Sequence, residues 1–448
     1  MKRKFCRGFS ANGMEIFEMR EQELIVYKDF ENGQLLKDMV FLMENYKENS
    51  KKKELQALFY KCFHELLELA GQYGFYGNLW HCYLSNLCVN NENSYSMACE
   101  IVGEVKGTIN DAVLHDINIL KELYDYDFSD MEKVLGIKDF SLALNYESSD
   151  RESKVYNTRI CKRIVELAEK FNKADSPEEM KKSLTEFYRD YGVGKFGLHK
   201  AFRINHTDSG AEIIPITNIA HVNLDDLVGY ESAKKKLTDN TEAFVKGLPC
   251  NNCLLFGDAG TGKSSSIKAI ANKYYEEGLR IIEVYKHQFV DLNDIISQIK
   301  NRNYKFILYM DDLSFEDFEI EYKYLKAVIE GGLEKKPKNV LIYATSNRRH
   351  LINEKFSERG NADDEVHFGD TMQEKLSLYA RFGVTIYFGS PTPKEFNAIV
   401  EELAKRNNID MEKEELIRLA NQWELQHGGL SGRTAQQFIQ YLQGTQNL

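Results

Sequence analysis

The stretch NNCLLFGDAGTGKSSS, residues 251–266, decides how the chain is to be read. It holds Gly257, four further residues, then Gly262, Lys263 and Ser264, the spacing of a phosphate-binding loop. The apolar run 253–256 predicts a buried strand and the glycines a tight turn. Beyond them Ile267, Ile270, Ala271 and Tyr274 recur three or four residues apart, which predicts an amphipathic helix beginning at Lys263. A strand, a turn and a helix N-terminus in that order leave the backbone N–H groups of residues 259–263 free and aligned with the helix dipole, a cradle for a polyphosphate. The nucleotide-binding set is then Gly257, Asp258, Ala259, Gly260, Thr261, Gly262, Lys263, Ser264 and Ser265. Within it Lys263 reaches the β- and γ-phosphates of ATP, and Ser264 Oγ ligates Mg²⁺.

Downstream, the apolar runs 280–284, 306–310 and 340–345 alternate with helical segments, such as 291–299 with its Asp cap. Strands alternating with helices predict a parallel sheet. The run 306–310 ends in Asp311 and Asp312, at the strand end where an α/β sheet meets its ligand. Asp311 is expected to hold Mg²⁺ through water and Asp312 to lie nearer the attacking water. Asn347, just past the next strand, is placed to orient that water against the γ-phosphate. An exposed acidic loop at 354–370, a helix from Thr371 and a strand over 385–388 follow. Thr392, Pro393 and Glu395 then form a capping box that opens a helical tail containing Arg433.

Upstream, residues 224–247 read as a turn and a helix whose first turn lies over the adenine. The segments 200–205 and 211–216 flank HTDSG and predict a small hairpin, with a domain boundary between residues 205 and 223. The N-terminal part is mainly helical. Leu55, Leu58, Phe59, Cys62, Phe63, Leu66, Leu67 and Leu69 trace a core-facing stripe, and Ser176, Pro177 and Glu179 open a capped helix. Residues 101–124 fit a strand or a helix equally.

A chain of 448 residues exceeds one ordinary core, and two to three domains are expected. Its net charge of −11 disfavours nucleic acid as the main partner, and Lys234 to Lys236 is too short a basic patch to reverse that. The start, MKRKFCRGFSANGMEIF, lacks an apolar core after its basic residues, and no run is long enough to cross a bilayer. A cytoplasmic protein with reduced thiols is expected. Cys250 and Cys253 form a lone CxxC without a second pair, so a buried strand cysteine is the simpler reading than zinc.

The order of these parts resembles an AAA+ ATPase. Phosphate loop, Asp311 at a strand end, Asn347 after the next strand, Arg381 before the fifth strand and Arg433 in the C-terminal helices match that superfamily's Walker A, Walker B, sensor 1, arginine finger and sensor 2. DDLVGYE, NTEAFVKG, GDAGTGKSS, DDLSFE, IYATSNRRHL, GDTMQEKLSL, RFG and GLSGRTA are similar to the signature blocks of a bacterial family of uncharacterised ATPases known only as a domain of unknown function.

The resemblance covers about residues 196–442. It implies a five-stranded parallel sheet with a helical C-terminal lid, hydrolysis of Mg·ATP, and an unidentified protein partner. It also implies a homo-oligomer, the hexamer being usual, with Arg381 reaching a neighbour's γ-phosphate; Arg348 or Arg349 could serve instead. The domains expected are 1–195, mainly helical; 196–223, hairpin and linker; 224–390, nucleotide-binding; and 391–448, lid.

Two features depart from the superfamily. Asp312 stands where Glu is usual, one methylene shorter, with Glu316 as a possible substitute. YKHQFV, residues 285–290, lacks the aromatic-glycine pore loop of polypeptide-threading members. The rival functions are an ATP-gated binding module with negligible turnover and a nucleic-acid loader or remodeller.

Overall fold

The computed structural model describes residues 20–147, 158–207, 210–217, 219, 222–315, 321–330, 337–347 and 380–446. The chain divides into two compact units, residues 1–198 and 199–448.

The first unit is helical around one continuous apolar core. Residues 101–124, ambiguous in sequence, belong to the helices Ser94–Val102 and Ile109–Tyr124, separated by a turn at Gly103. Alternation failed there because the second helix buries a broad face that includes Val113, Ile117, Leu120 and Tyr124. The buried Asp116 carboxylate on that helix is satisfied by the backbone: it accepts from the N–H groups of Ile25, Val26 and Tyr27 at 2.7–2.9 Å. The Trp80 indole likewise donates to Leu123 O at 2.9 Å.

Among the described residues the second unit is built on a sheet of seven strands, two more than the five expected. These are β1 (Ala201–Thr207), β2 (Gly210–Pro215), β3 (Cys253–Gly257), β4 (Leu279–Glu283), β5 (Lys305–Met310), β6 (Val340–Ser346) and β7 (Val384–Phe388). Their order is β2-β1-β4-β5-β6-β3-β7. Among the described strands only β1 and β2 pair antiparallel, and the other neighbouring pairs are parallel.

The extra strands are the hairpin taken from the sequence as part of a linker. β1 runs parallel to β4, with Ala201 opposite Ile281 and Arg203 opposite Glu283, so the hairpin extends the nucleotide sheet. It also covers the edge that β4 would otherwise leave unpaired. The hairpin's own alternation says nothing about a partner strand some seventy residues away, and the pairing was therefore invisible in the sequence.

β3, β4, β5 and β6 read as near-continuous apolar runs because both faces of a parallel sheet are covered. From β3 the chain crosses to β4, steps back through β5 and β6, and then passes β3 to form β7 on its far side. The C-terminal ends of β3, β5 and β6 are thereby side by side, at a crevice of the kind where open α/β sheets bind ligands. The helices Pro393–Arg406, Lys413–Gln426 and Gly432–Gln446 pack around their own core of Phe396, Val400, Ala420, Phe438 and Ile439.

A fragment of residues 199–448 should melt cooperatively in thermal denaturation. A fragment beginning at residue 217 lacks β1 and β2, exposes the β4 edge, and should lose the cooperative transition or aggregate. Equal melting of the two would show that the hairpin is dispensable to the sheet.

Candidate nucleotide site

The phosphate loop leaves β3 at Gly257, where φ is 134° and a Cβ atom would run into the carbonyl of Phe388 on β7. Only glycine fits that close approach. The next residue is tied to the same strand: Asp258 N donates to Phe388 O at 3.0 Å, and the Asp258 carboxylate accepts from Ser390 N at 2.7 Å. At Gly260, φ is 74°, and a Cβ would lie 3.0 Å from Ser431 Oγ and 3.1 Å from Arg433 Cβ. Gly260 O accepts from Arg433 N at 3.1 Å, so the loop lies directly against the start of the last helix.

Lys263 opens the helix Lys263–Lys273 and is only 6% exposed. Its ammonium donates to Gly257 O at 2.9 Å, Asp258 O at 2.6 Å and Asn347 Oδ1 at 2.9 Å. Burial lowers its pKa below the ordinary lysine value, although the carboxylates of Asp258, Asp312 and Asp311 pull the other way.

Ser264 Oγ donates to Asp311 Oδ1 at 2.7 Å. Thr345 Oγ1 donates to the same carboxylate oxygen at 2.5 Å and accepts from Asp312 N at 2.9 Å. Burial raises the Asp311 pKa, but hydrogen bonds led by that from Thr345 outweigh it, and the carboxyl is held below its usual range. Asp312 adopts a left-handed φ of 50°, a costly conformation for a residue with a side chain. Thr345 braces it, because its hydroxyl takes the Asp312 N–H while its carbonyl accepts from Leu313 N at 2.7 Å. Asn347 Nδ2 donates to Asp312 Oδ1 at 2.8 Å, so a hydrogen-bonded chain runs from Lys263 through Asn347 to Asp312.

These groups line a cleft of about 770 Å³ together with Ala259–Ser265 and Arg433. The cleft is also lined by the apolar Val222, Leu227, Val228, Ile399 and Leu403, by Asp226 and Tyr230, and by the three glutamines Gln436, Gln437 and Gln440. A cleft that combines the phosphate-loop groups with apolar side chains suits a nucleotide. The cleft therefore gathers Ala259 through Ser265, Asp311, Asp312, Asn347 and Arg433. Gly257 and Asp258 act from behind as the loop's anchor and are not among the lining residues. Arg381 is also outside the lining and is ion-paired with Glu330 of its own chain. Glu316, Arg348, Arg349, the loop 354–370 and the helix from Thr371 lie outside the described residues.

Thr345 and the apolar lining were missed in the sequence. The hydroxyl at the end of the apolar run 340–344 was the available signal for Thr345. Cys253 is fully buried in β3, and burial pushes its thiol pKa well up. Among the described residues no cluster of three or more His, Cys, Asp or Glu could hold a metal, and no helix is long and apolar enough to cross a membrane.

The family described as "Protein of unknown function (DUF815)" matches residues 197–446, more than half of the chain and nearly all of the second unit. The chain belongs to that family. This DUF815 chain is also 41% identical over 71 residues to the replication factor C large subunit of Staphylothermus marinus, a match covering 16% of each protein. Among solved structures it is similar to a Thermotoga maritima RuvB variant at 18% identity and a TM-score of 0.35, covering 50% of this chain and 64% of that one. The AAA domain of FIGL-1 in complex with ADP gives 17% identity and a TM-score of 0.36, covering 51% and 75%. The chain thus spans less than two thirds of the curated relative and of the RuvB structure. Its second unit is an α/β domain that carries the phosphate-loop sequence on a mostly parallel sheet, preceded in the chain by the helical unit.

Gly257→Ala in this DUF815 chain should cost roughly 2–4 kcal/mol in urea denaturation, since the new methyl group meets both a positive φ and a backbone carbonyl. Lys263→Ala should remove binding of labelled ATP while leaving a folded protein. Unchanged affinity there would remove the cleft from consideration as the nucleotide site.

Proposed function

We propose that the chain binds Mg·ATP in this cleft, hydrolyses it to ADP and phosphate, and couples the cycle to switching or remodelling of a protein partner. The observation that carries the reading is the hydrogen-bonded chain Lys263–Asn347–Asp312 beside the Ser264–Asp311 pair, all lining one cleft.

The oxygen donors Ser264 Oγ and the Asp311 carboxylate fit a small hard cation, so they are the residues that would hold Mg²⁺. Bound there, the cation would neutralise phosphate charge. Lys263 carries the charge aimed at the β- and γ-phosphates, and its present acceptors are two loop carbonyls and an amide that phosphate oxygens can replace. Asp312 accepts the proton of the attacking water. Its carboxylate is engaged by Asn347, and the same amide is within reach of Lys263, so a phosphate that draws Lys263 away also frees Asn347 to turn. The apolar lining excludes water from the cleft. Arg433 closes over the γ-phosphate, favouring ATP over ADP.

The helical unit selects the partner, the boundaries 1–195, 196–223, 224–390 and 391–448 marking the working parts, and the protein acts in the cytoplasm. The assembly is a homo-oligomer, with a hexamer the natural closure of a head-to-tail interface. Arg381 serves as the finger once it leaves Glu330 for a neighbour's phosphate.

A second reading is an ATP-gated binding module with negligible turnover, favoured by the short Asp312 side chain and its engagement by Asn347. Single-turnover hydrolysis separates the two. Asp312→Asn should keep ATP affinity and slow the chemical step by about 100-fold or more. A wild-type chain that binds ATP without releasing phosphate favours the gated module. Mixing Arg381→Ala with Lys263→Ala protein should restore activity that neither has alone, because each supplies what the other lacks. Full activity of Arg381→Ala by itself would remove the finger.

A further inference from the structure

Tyr309 lies on β5 two residues before Asp311, so their side chains emerge on the same face of the sheet. It is 3% exposed, and its hydroxyl makes no hydrogen bond of ordinary geometry among the described residues, although it lies near enough to Ser264, Asp311 and Thr345 to interact with them. Its counterpart across the strand pair is Tyr343 on β6, equally buried. That hydroxyl is fully satisfied, by Asn240 Nδ2 and Thr241 Oγ1, both at 2.9 Å. The two tyrosines thus share one register position and one layer; only Tyr343 has hydrogen bonds of ordinary geometry, while the Tyr309 hydroxyl faces Ser264, Asp311 and Thr345.

A buried hydroxyl without such a bond costs about 1–3 kcal/mol, and folded proteins keep few of them. What separates Tyr309 from Tyr343 is the next layer of the same face. Above Tyr309 stand Asp311, Thr345 and Ser264, already joined to one another and all assigned to the metal end of the cleft. Asp311 has one oxygen, Oδ1, taking both hydroxyl protons.

We propose that the Tyr309 hydroxyl is a positioning group of the magnesium site, bonding to the hydration shell of the cation held by Ser264 and Asp311 and making a hydrogen bond of ordinary geometry only when Mg·ATP is bound. The inference rests on the Mg·ATP reading above. It makes Tyr309 a residue that couples sheet to metal without touching the nucleotide.

The test compares full-length wild type with Tyr309→Phe, which removes the oxygen and keeps the ring. Thermal melting is followed without ligand, with ATP plus EDTA, and with ATP and titrated Mg²⁺. Without ligand and with ATP plus EDTA, the variant should melt at the wild-type temperature or slightly above it, because the hydroxyl removed makes no hydrogen bond of ordinary geometry there. The Mg²⁺ concentration giving half of the ATP-dependent stabilisation should rise about five- to tenfold, the loss expected for one hydrogen bond. Binding of Mn²⁺ to the ADP complex, read by electron paramagnetic resonance, should weaken in parallel. An unchanged metal requirement overturns the proposal. So does a variant that melts lower without ligand or fails to fold, since the hydroxyl then has a partner in the empty protein. A wild type that gains no Mg²⁺-dependent stability from ATP brings down the Mg·ATP reading itself, and is recognised by appearing before any substitution is made.

Discussion

The buried ammonium of Lys263 is the constraint on which the site depends. A charge taken out of water must be met by fixed acceptors, and this one is met by the carbonyls of Gly257 and Asp258 and the amide of Asn347. Those acceptors come from the end of β3 and the end of β6, so the lysine holds together two strands that are adjacent in the sheet but more than eighty residues apart in sequence. The close approach of Gly257 to β7 sets where the loop begins, and the bond from Arg433 N to Gly260 O sets where it meets the C-terminal helices. Phosphate loop, neighbouring strands and terminal helices are in this sense one mechanical unit.

The same wiring suggests how occupancy is read out. Asn347 is shared between Lys263 and Asp312, and Thr345 is shared between Asp311 and the strained backbone of Asp312. A ligand that re-aims one partner changes the options of the next, with no rearrangement of the sheet. The loop carries direct bonds to Ser390, ahead of the C-terminal helices, and to Arg433, within the last of them, so it is joined to both ends of that segment.

Much of this was legible in the sequence where the signal is local. The turn at 257–262, the helix from Lys263 and the acids ending β5 follow from spacing within a few residues, and they stand where that spacing put them. What depends on distant pairing was not legible. The hairpin 201–215 reads as a self-contained turn, and only β4 makes it part of the sheet. The resemblance places Arg381 as a finger for a neighbour's phosphate, and its ion pair with Glu330 of the same chain comes from distant packing. Thr345 and Tyr309 read as ordinary residues of apolar strands. Their significance comes from the side chains that the neighbouring elements bring beside them, Asp311 beside Thr345 and the Ser264–Asp311 pair beside Tyr309.

The most direct measurement is calorimetric titration of ATP into the full-length chain in the presence of Mg²⁺ and again with EDTA. The account predicts saturable binding with one nucleotide per chain, at least tenfold tighter when Mg²⁺ is present. No heat of binding in either condition, or the same affinity in both, would contradict it.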